Sequence, residues 1–114
     1  MDILASYLSK VEKEITDLKF PSAPNDLYEP LTYFMAIGGK RIRPILTLMS
    51  AEMFGNQSQK ALDVALGIEL FHNFTLLHDD IMDNAPLRRN FKTVHEKWNA
   101  NTAILSGDTL FVKA

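Results

Sequence analysis

Three aspartates stand close together in segment 78–83, which reads HDDIMD. Asp79 and Asp83 are four residues apart, so on a helix they share one face, with Asp80 beside them. Carboxylates in this arrangement repel one another, and at a helix C-terminus they also oppose the macrodipole. A hard cation such as Mg²⁺ would offset the repulsion, because it binds carboxylate and phosphate oxygens. The cluster predicts a magnesium site, with a solvated acidic helix end as the alternative.

Basic side chains occur on both sides of the aspartates along the chain. Segment 38–44 reads GGKRIRP, in which the glycines allow a close backbone approach. Its Lys40 and Arg43 are predicted to point to one side at a helix N-terminus, an arrangement that suits a phosphate group. Arg88 and Arg89 follow the aspartates after a short loop. Each group alone also fits a solvated turn, but together with a metal site they predict a bound diphosphate.

Helical spacing adds a histidine and an apolar wall to this predicted site. His72 lies two turns before Asp79, roughly 10 Å away on the same stripe. It would donate a hydrogen bond to a phosphate oxygen, although a lone histidine on an apolar helix is more often a core residue. Phe71, Phe74 and Thr75 lie near it, and they either belong to the core or wall an apolar pocket below the acids.

Helices with regular apolar spacing must position these groups, so the predicted fold class is all-α. Asn25 or Asp26 is predicted to cap the second helix, and the glycine pair after Ile37 to stop it. Pro44 is tolerated only in a first turn, which limits the start of the third helix. Residues 84–92 are predicted to form a polar loop, and no strand is expected. The predicted helices cover residues 3–18, 25–37, 40–54 (closed by Gly55-Asn56), 59–83 and a last segment that starts near Thr93 or Asn99.

The composition fits one globular domain. The 114 residues carry a net charge of −2, and 46% are apolar and 23% charged, unlike a disordered chain. The chain has no Cys, which excludes disulfides and cysteine nucleophiles, and His95 has no partner at ligand spacing, so no zinc site is predicted. No stretch reaches the roughly 18 apolar residues of a membrane span, and Asp2 stands where a secretory signal would be basic. We therefore expect a cytoplasmic protein without the charge of a nucleic-acid binder.

The DDIMD-NAPLRR block, with GGKRIRP upstream, closely resembles the trans-type (class I) isoprenyl diphosphate synthases over roughly residues 28–114. This resemblance implies an isoprenoid-synthase fold, which is an all-α antiparallel helix bundle. It further implies that Asp79, Asp80 and Asp83 bind an allylic diphosphate through Mg²⁺. Arg88 matches the arginine that contacts this diphosphate.

The resemblance also implies a second substrate and a reaction. The allylic substrate ionises, the isopentenyl double bond attacks it, and a proton is lost. In the family, the residues four and five before the first aspartate set product length, and here these are Thr75 and Phe74, with Phe71 nearby. This pair implies a C15 to C20 product, with C20 preferred, made by a homodimer. The positions that match the isopentenyl diphosphate site are Lys40, Arg43, His72 and Arg89.

Family members are nearly three times as long as this chain, and they carry a second aspartate-rich motif that it lacks. We therefore expect residues 1–114 to be the N-terminal portion of one longer domain, inactive and self-associating on its own. The alternatives are a non-catalytic partner subunit of a synthase, a structural helical dimerisation module and a class I terpene cyclase. The intact DDIMD counts against the partner subunit, and the GGKRIRP segment counts against the cyclase.

Overall fold

The computed structural model describes residues 2–18, 20–21, 24–55 and 60–114, apart from the side chains of Asp2 and Asp26. Helices dominate these residues, which confirms the predicted all-α class. The helices are α1 (Asp2–Asp17), α2 (Asn25–Ile37), α3 (Ile42–Met53), α4 (Leu62–Met82), α5 (Val94–Lys97) and α6 (Ala100–Lys113), and the strands are β1 (Leu87–Arg88) and β2 (Phe91–Lys92).

Several helix ends lie at residues whose chemistry starts or stops a helix, as predicted. Gly38 ends α2 with a φ of 91°, and Pro44 lies in the first turn of α3. The Asn99 Oδ1 accepts a 2.8 Å hydrogen bond from the Thr102 N–H, which caps the start of α6. The third helix, predicted over residues 40–54, extends from Ile42 to Met53, whereas its predicted closing residue Asn56 and the predicted start of the fourth helix at residue 59 lie outside the described residues.

The start of α2 differs from the prediction. Pro24, and not Asn25 or Asp26, occupies the N-cap position, with a φ of −74° and a ψ of 135°. Its carbonyl oxygen accepts hydrogen bonds from the N–H groups of Leu27 and Tyr28 at 3.2 and 3.3 Å. Because the proline ring already fixes a φ near the helical value, the chain enters the first turn directly after Pro24.

A short hairpin lies within the predicted loop 84–92, so the expectation of no strand was wrong. Strands β1 and β2 are antiparallel, with Leu87 paired to Lys92. Arg89 and Asn90 connect them with φ values of 50° and 69°. Positive φ at both central positions is typical of a type I′ turn, whose twist matches that of a hairpin. Strands of two residues are too short to show alternation in a sequence.

The described residues form two compact units. The first contains α1, α3 and α4 as far as Glu69, and α1 packs on α3. The second contains α2, the rest of α4, the hairpin, α5 and α6, and both α2 and α5 pack on α6. Buried apolar side chains of the first unit are Val11, Ile15, Ile45, Leu48, Leu62 and Ala65, and those of the second are Leu31, Phe34, Met35, Leu70, Leu77, Val94, Ala103 and Leu110. None of the helices in the described part of the chain combines the length and hydrophobicity of a membrane span.

Gly107 lets α6 approach α4 closely within the second unit. A Cβ on Gly107 would lie 2.5 Å from His78 Nε2, which is closer than protein atoms pack, and 3.2 Å from Leu77 Cδ2, which is closer than most such contacts. His78 Nε2 also lies 3.4 Å from the carbonyl oxygen of Ile104, and its ring meets the Phe74 ring edge-on at 4.8 Å. The glycine therefore leaves room on α6 for His78, which directly precedes the aspartates on α4.

We expect Gly107→Ala to lower the free energy of unfolding by about 1–3 kcal/mol, the usual cost of overpacking. The matched control is Gly67→Ala in α4, where the nearest neighbour of the new Cβ would be the carbonyl oxygen of Ala114 at 3.8 Å. That variant should gain up to about 1 kcal/mol from the better helix propensity of alanine. Thermal unfolding of both proteins checks the prediction, and Tm shifts of the same sign would contradict it.

Candidate functional site

The aspartates lie at the C-terminal end of α4, which a Schellman motif terminates. Asn84 adopts a φ of 52°, and the N–H groups of Asn84 and Ala85 donate to the carbonyls three and five residues earlier, at 3.1 and 2.9 Å. The Asp83 N–H still donates to the Asp79 carbonyl at 2.8 Å, so the helical repeat continues through the last aspartate. The backbone therefore places Asp79 and Asp83 one helical turn apart.

The three carboxylates do not share one environment. Asp79 and Asp83 are exposed, whereas the side chain of Asp80 is 6% exposed. Asp80 accepts two hydrogen bonds from Arg88, from Nε to Oδ2 at 2.8 Å and from Nη2 to Oδ1 at 2.9 Å. Such forks are among the strongest side-chain hydrogen bonds. This one raises the pKa of the Arg88 guanidinium, chiefly through the hydrogen bonds to Asp80.

The hairpin returns Arg88 to the end of α4. Thr93, which follows β2 and is buried, donates its hydroxyl to the Ala85 carbonyl at 2.7 Å and so closes the loop at its base. Arg89 lies in the turn of the hairpin and is exposed. The two neighbouring arginines are therefore in different settings, because Arg88 is paired with Asp80 and Arg89 lies at the tip.

The donors at the end of α4 have the chemistry that a hard divalent cation requires. Asp79 and Asp83 offer carboxylate oxygens, and Mg²⁺ commonly takes one or two carboxylates together with phosphate oxygens and water. Both oxygens of Asp80 accept from Arg88. Within the residues described, no three His, Asp or Glu side chains converge as a complete metal-binding group. The predicted cluster of three aspartates is thus two exposed carboxylates and one ion-paired carboxylate.

The basic segment 38–44 starts its helix later than predicted. Arg41 occupies the N-cap position in a left-handed conformation, and α3 begins at Ile42. Lys40 therefore precedes the helix, while Arg43 lies in its first turn, so the predicted common helical face does not exist. Both side chains are exposed, and they remain on one short segment.

Sequence patterns did not point to Arg41, which is a buried charge of the first unit. Its Nη1 donates to Glu69 Oε2 at 2.6 Å, and its Nε donates to Glu12 Oε2 at 3.2 Å. One signal was present in the sequence: Glu69 is an acid within an otherwise apolar stretch of α4. An acid in such a position needs a buried partner, but local spacing cannot say which cation supplies it.

An aromatic cluster lies one to two turns before the aspartates. The ring centroids of Phe71 and Phe74 are 5.5 Å apart. Phe111 of α6 adds a third ring, 4.9 Å from Phe74 and 5.8 Å from Phe71. The Thr75 hydroxyl donates to the carbonyl of the partly exposed His72 at 2.6 Å. Phe111 was not predicted because it belongs to another helix, 37 residues beyond Phe74 in the sequence.

Comparison with known proteins identifies the class to which this fold and site belong. The polyprenyl synthetase family profile matches residues 24–114, and the chain therefore belongs to the polyprenyl synthetase family. The chain is 44% identical over 113 residues to a geranylgeranyl pyrophosphate synthase of Geoglobus acetivorans, covering 99% of this chain and 35% of that protein. It is 42% identical over 114 residues to a geranylgeranyl diphosphate synthase of Methanosarcina mazei, covering 100% of this chain and 35% of that protein.

Solved structures share the fold. The crystal structure of geranylgeranyl pyrophosphate synthetase from Pyrococcus horikoshii superposes with a TM-score of 0.87 at 40% identity, covering 98% of this chain and 35% of that one. The predicted isoprenoid-synthase fold is thereby confirmed. The chain spans about a third of the length of the relatives it matches.

Proposed function

We propose that the natural protein containing these residues (the parent protein) is a trans-prenyltransferase that condenses isopentenyl diphosphate with an allylic diphosphate. The observation that carries this proposal is the end of α4, where two exposed carboxylates lie one turn apart and a third is paired with an arginine. Oxygen donors for a metal next to a guanidinium suit a diphosphate group. The names of the two relatives above support the same activity.

In this proposal, Asp79 and Asp83 would hold Mg²⁺, and Asp80 would orient Arg88. Bound Mg²⁺ would neutralise the negative charge that develops on the departing diphosphate. Asp80 takes two of the five N–H donors of Arg88 and thereby fixes the plane of the guanidinium. The remaining N–H groups of Arg88 would then donate hydrogen bonds to the allylic diphosphate. In this assignment Asp79 and Asp83 are the metal ligands, whereas Asp80 lies beside the metal site and orients Arg88.

Isopentenyl diphosphate would be bound by a separate set of basic side chains. Lys40 and Arg43 are two exposed cations on one short segment. Lysine supplies a compact point charge and arginine a planar fork, and both bind phosphate oxygens well. The full set that we propose is Lys40, Arg43, His72 and Arg89.

The aromatic cluster would hold the hydrocarbon tail of the allylic substrate. Phe71 and Phe74, with Thr75, lie on α4 upstream of the aspartates, so a tail attached to the diphosphate would extend toward them. Apolar walls exclude water, which would otherwise react with the carbocation. We propose a C15 to C20 product, with C20 preferred.

We further propose that residues 1–114 are the N-terminal portion of one longer domain in a cytoplasmic homodimer. A chain without Cys fits the reducing cytoplasm. Self-association is supported by exposed apolar side chains on α4 and α6, namely Val64, Ile68, Ile104, Leu105, Phe111 and Val112.

An assay of the parent protein with Mg²⁺, radiolabelled isopentenyl diphosphate and allylic primers of different length tests the proposal. We expect label in longer prenyl diphosphates only when both substrates are present, and complete loss of product with EDTA. The 114-residue chain alone should give no turnover, because it supplies one set of carboxylates and spans a third of its relatives.

Two outcomes would overturn this function. Release of product from the allylic substrate without isopentenyl diphosphate would identify a cyclase. A parent protein that binds neither substrate would favour a structural module or a non-catalytic subunit. Turnover by the isolated 114-residue chain would contradict the expectation that it is inactive.

A further inference from the structure

Arg41 is a buried cation in a segment whose other two basic side chains are exposed. Its side chain is 1% exposed, whereas Lys40 and Arg43 lie at the surface. Its backbone is left-handed, with a φ of 56° and a ψ of 35°. Residues with a Cβ rarely adopt this conformation, because Cβ then crowds the following carbonyl oxygen. Contacts outside the segment must therefore hold both the charge and the backbone.

Two carboxylates from different helices hold the guanidinium. Glu69 on α4, 5% exposed, accepts from Nη1 at 2.6 Å, and Glu12 on α1, 41% exposed, accepts from Nε at 3.2 Å. A buried cation is tolerated only when it is paired and hydrogen-bonded. The carbonyl of Arg41 also accepts the N–H of Ile45 at 3.1 Å in the first turn of α3. One residue thus ties the start of α3 to α1 and to α4.

We propose that Arg41 is a positioning residue: with Glu69 and Glu12 it fixes the backbone that presents Lys40 and Arg43 to one diphosphate. This inference rests on the proposed function, which assigns that pair to isopentenyl diphosphate. Lys40 directly precedes the left-handed residue, and Arg43 follows it by two. A change of the Arg41 backbone would therefore redirect both cations. Cations held in place bind an anion more tightly than mobile ones, because less conformational freedom is lost.

Substitutions that keep the side-chain volume but disrupt the hydrogen bonds between Arg41 and its carboxylates separate the positioning role of Arg41 from the effect of its charge. Arg41→Lys retains the cation but replaces a planar group that reaches two carboxylates by a single ammonium. Glu69→Gln retains the shape of the buried partner without its charge. In both variants of the parent protein we expect the KM for isopentenyl diphosphate to rise about tenfold or more, as small misplacements of binding groups do. The kcat and the KM for the allylic substrate should change less than about twofold. This pattern is expected when a substitution weakens the binding of substrate and transition state equally.

Binding of inorganic pyrophosphate in EDTA gives a second readout that does not depend on turnover. EDTA removes metal-dependent binding, so the titration reports the basic side chains. Measured by calorimetry, the Kd for pyrophosphate should be about tenfold higher in Arg41→Lys and Glu69→Gln than in the unsubstituted parent protein. The matched control is Glu14→Gln on the same helix as Glu12, which should change neither the Kd nor the KM. Circular dichroism confirms that each variant is folded.

The outcomes separate this inference from the proposed function. If Lys40→Ala raises the KM for isopentenyl diphosphate but folded Arg41→Lys and Glu69→Gln leave it unchanged, Arg41 does not position the pair. If Lys40→Ala itself has no effect, the assignment of the basic segment to this substrate is wrong. Should Arg41→Lys fail to fold, it is replaced by Glu12→Gln, which changes the more exposed of the two carboxylates that Arg41 contacts. An unchanged KM for isopentenyl diphosphate in both Glu12→Gln and Glu69→Gln would then overturn the inference.

Discussion

Replacing Asp79 by alanine is expected to reduce prenyl transfer by the parent protein about 10²- to 10³-fold, without loss of stability. The magnitude is that of removing a group that stabilises developing charge in the transition state. The carboxylate is exposed, so its removal leaves no cavity. It also lies in the last turn of α4, where an acid opposes the macrodipole and repels Asp83. We therefore expect the free energy of unfolding to stay constant or to rise by up to about 1 kcal/mol.

Asp63 provides a matched control, because its removal should change the free energy of unfolding in the opposite direction. It is an exposed acid on the same helix but in the first turn, where a negative charge is favourable. Asp63→Ala should lower the free energy of unfolding by about 0.3–1 kcal/mol and leave activity unchanged. Steady-state kinetics over a range of Mg²⁺ concentrations, with thermal unfolding of the same samples, checks both variants. Asp79→Ala with activity within about tenfold of the parent would refute the proposed metal site.

Asp80 should respond differently from its neighbours, although all three belong to one motif. Removing it leaves Arg88 partly buried without the carboxylate that accepts its fork. Asp80→Ala is therefore expected to lose both activity and about 1–3 kcal/mol of stability, since an unpaired buried donor keeps its desolvation cost. Equal stability of the Asp79 and Asp80 variants would contradict the distinct roles that the ion pair indicates.

Features encoded over a few neighbouring residues were predictable from the sequence. The glycine after α2, the proline in the first turn of α3 and the Asn99 cap act on groups within four residues, so local chemistry is sufficient. The turn spacing of Asp79 and Asp83 follows from helix geometry in the same way. The α2 cap was mispredicted because Asn25 and Asp26 are good capping residues, while Pro24 already supplied the required backbone conformation.

Features that depend on pairing across the chain could not be read from spacing. The bond between Arg41 and Glu69 joins residues 28 positions apart, and Phe111 reaches the aromatic cluster from another helix. The distinction between Asp80 and the exposed aspartates requires the hairpin that returns Arg88, and strands of two residues leave no pattern. Composition and motif indicated the chemistry of the site, but tertiary packing decides which members of each motif are exposed.

Phe74→Ala in the parent protein is expected to lengthen the main product by at least one isoprenoid unit. Its ring lies against Phe71, Phe111 and His78, with centroids 4.8 to 5.5 Å away. A phenyl ring has six carbons and an isoprenoid unit has five, so the vacated space suits roughly one further unit. Product length, resolved by chromatography after dephosphorylation, measures the change.

Phe111→Ala should shift product length in the same direction, because this ring contacts both Phe74 and Phe71, with centroids 4.9 and 5.8 Å away. The matched control is Phe91→Ala on β2, since Phe91 and Phe111 are both 51% exposed and lose similar packing on truncation. If Phe111→Ala and Phe91→Ala lower the thermal stability to a similar extent but only Phe74→Ala and Phe111→Ala lengthen the product, the cluster acts on the substrate tail. If Phe74→Ala lengthens the product but Phe111→Ala does not, product length is limited by residues of α4 and not by Phe111 of α6. Equal lengthening by Phe91→Ala would show that a loosened fold, and not the aromatic wall, sets product length.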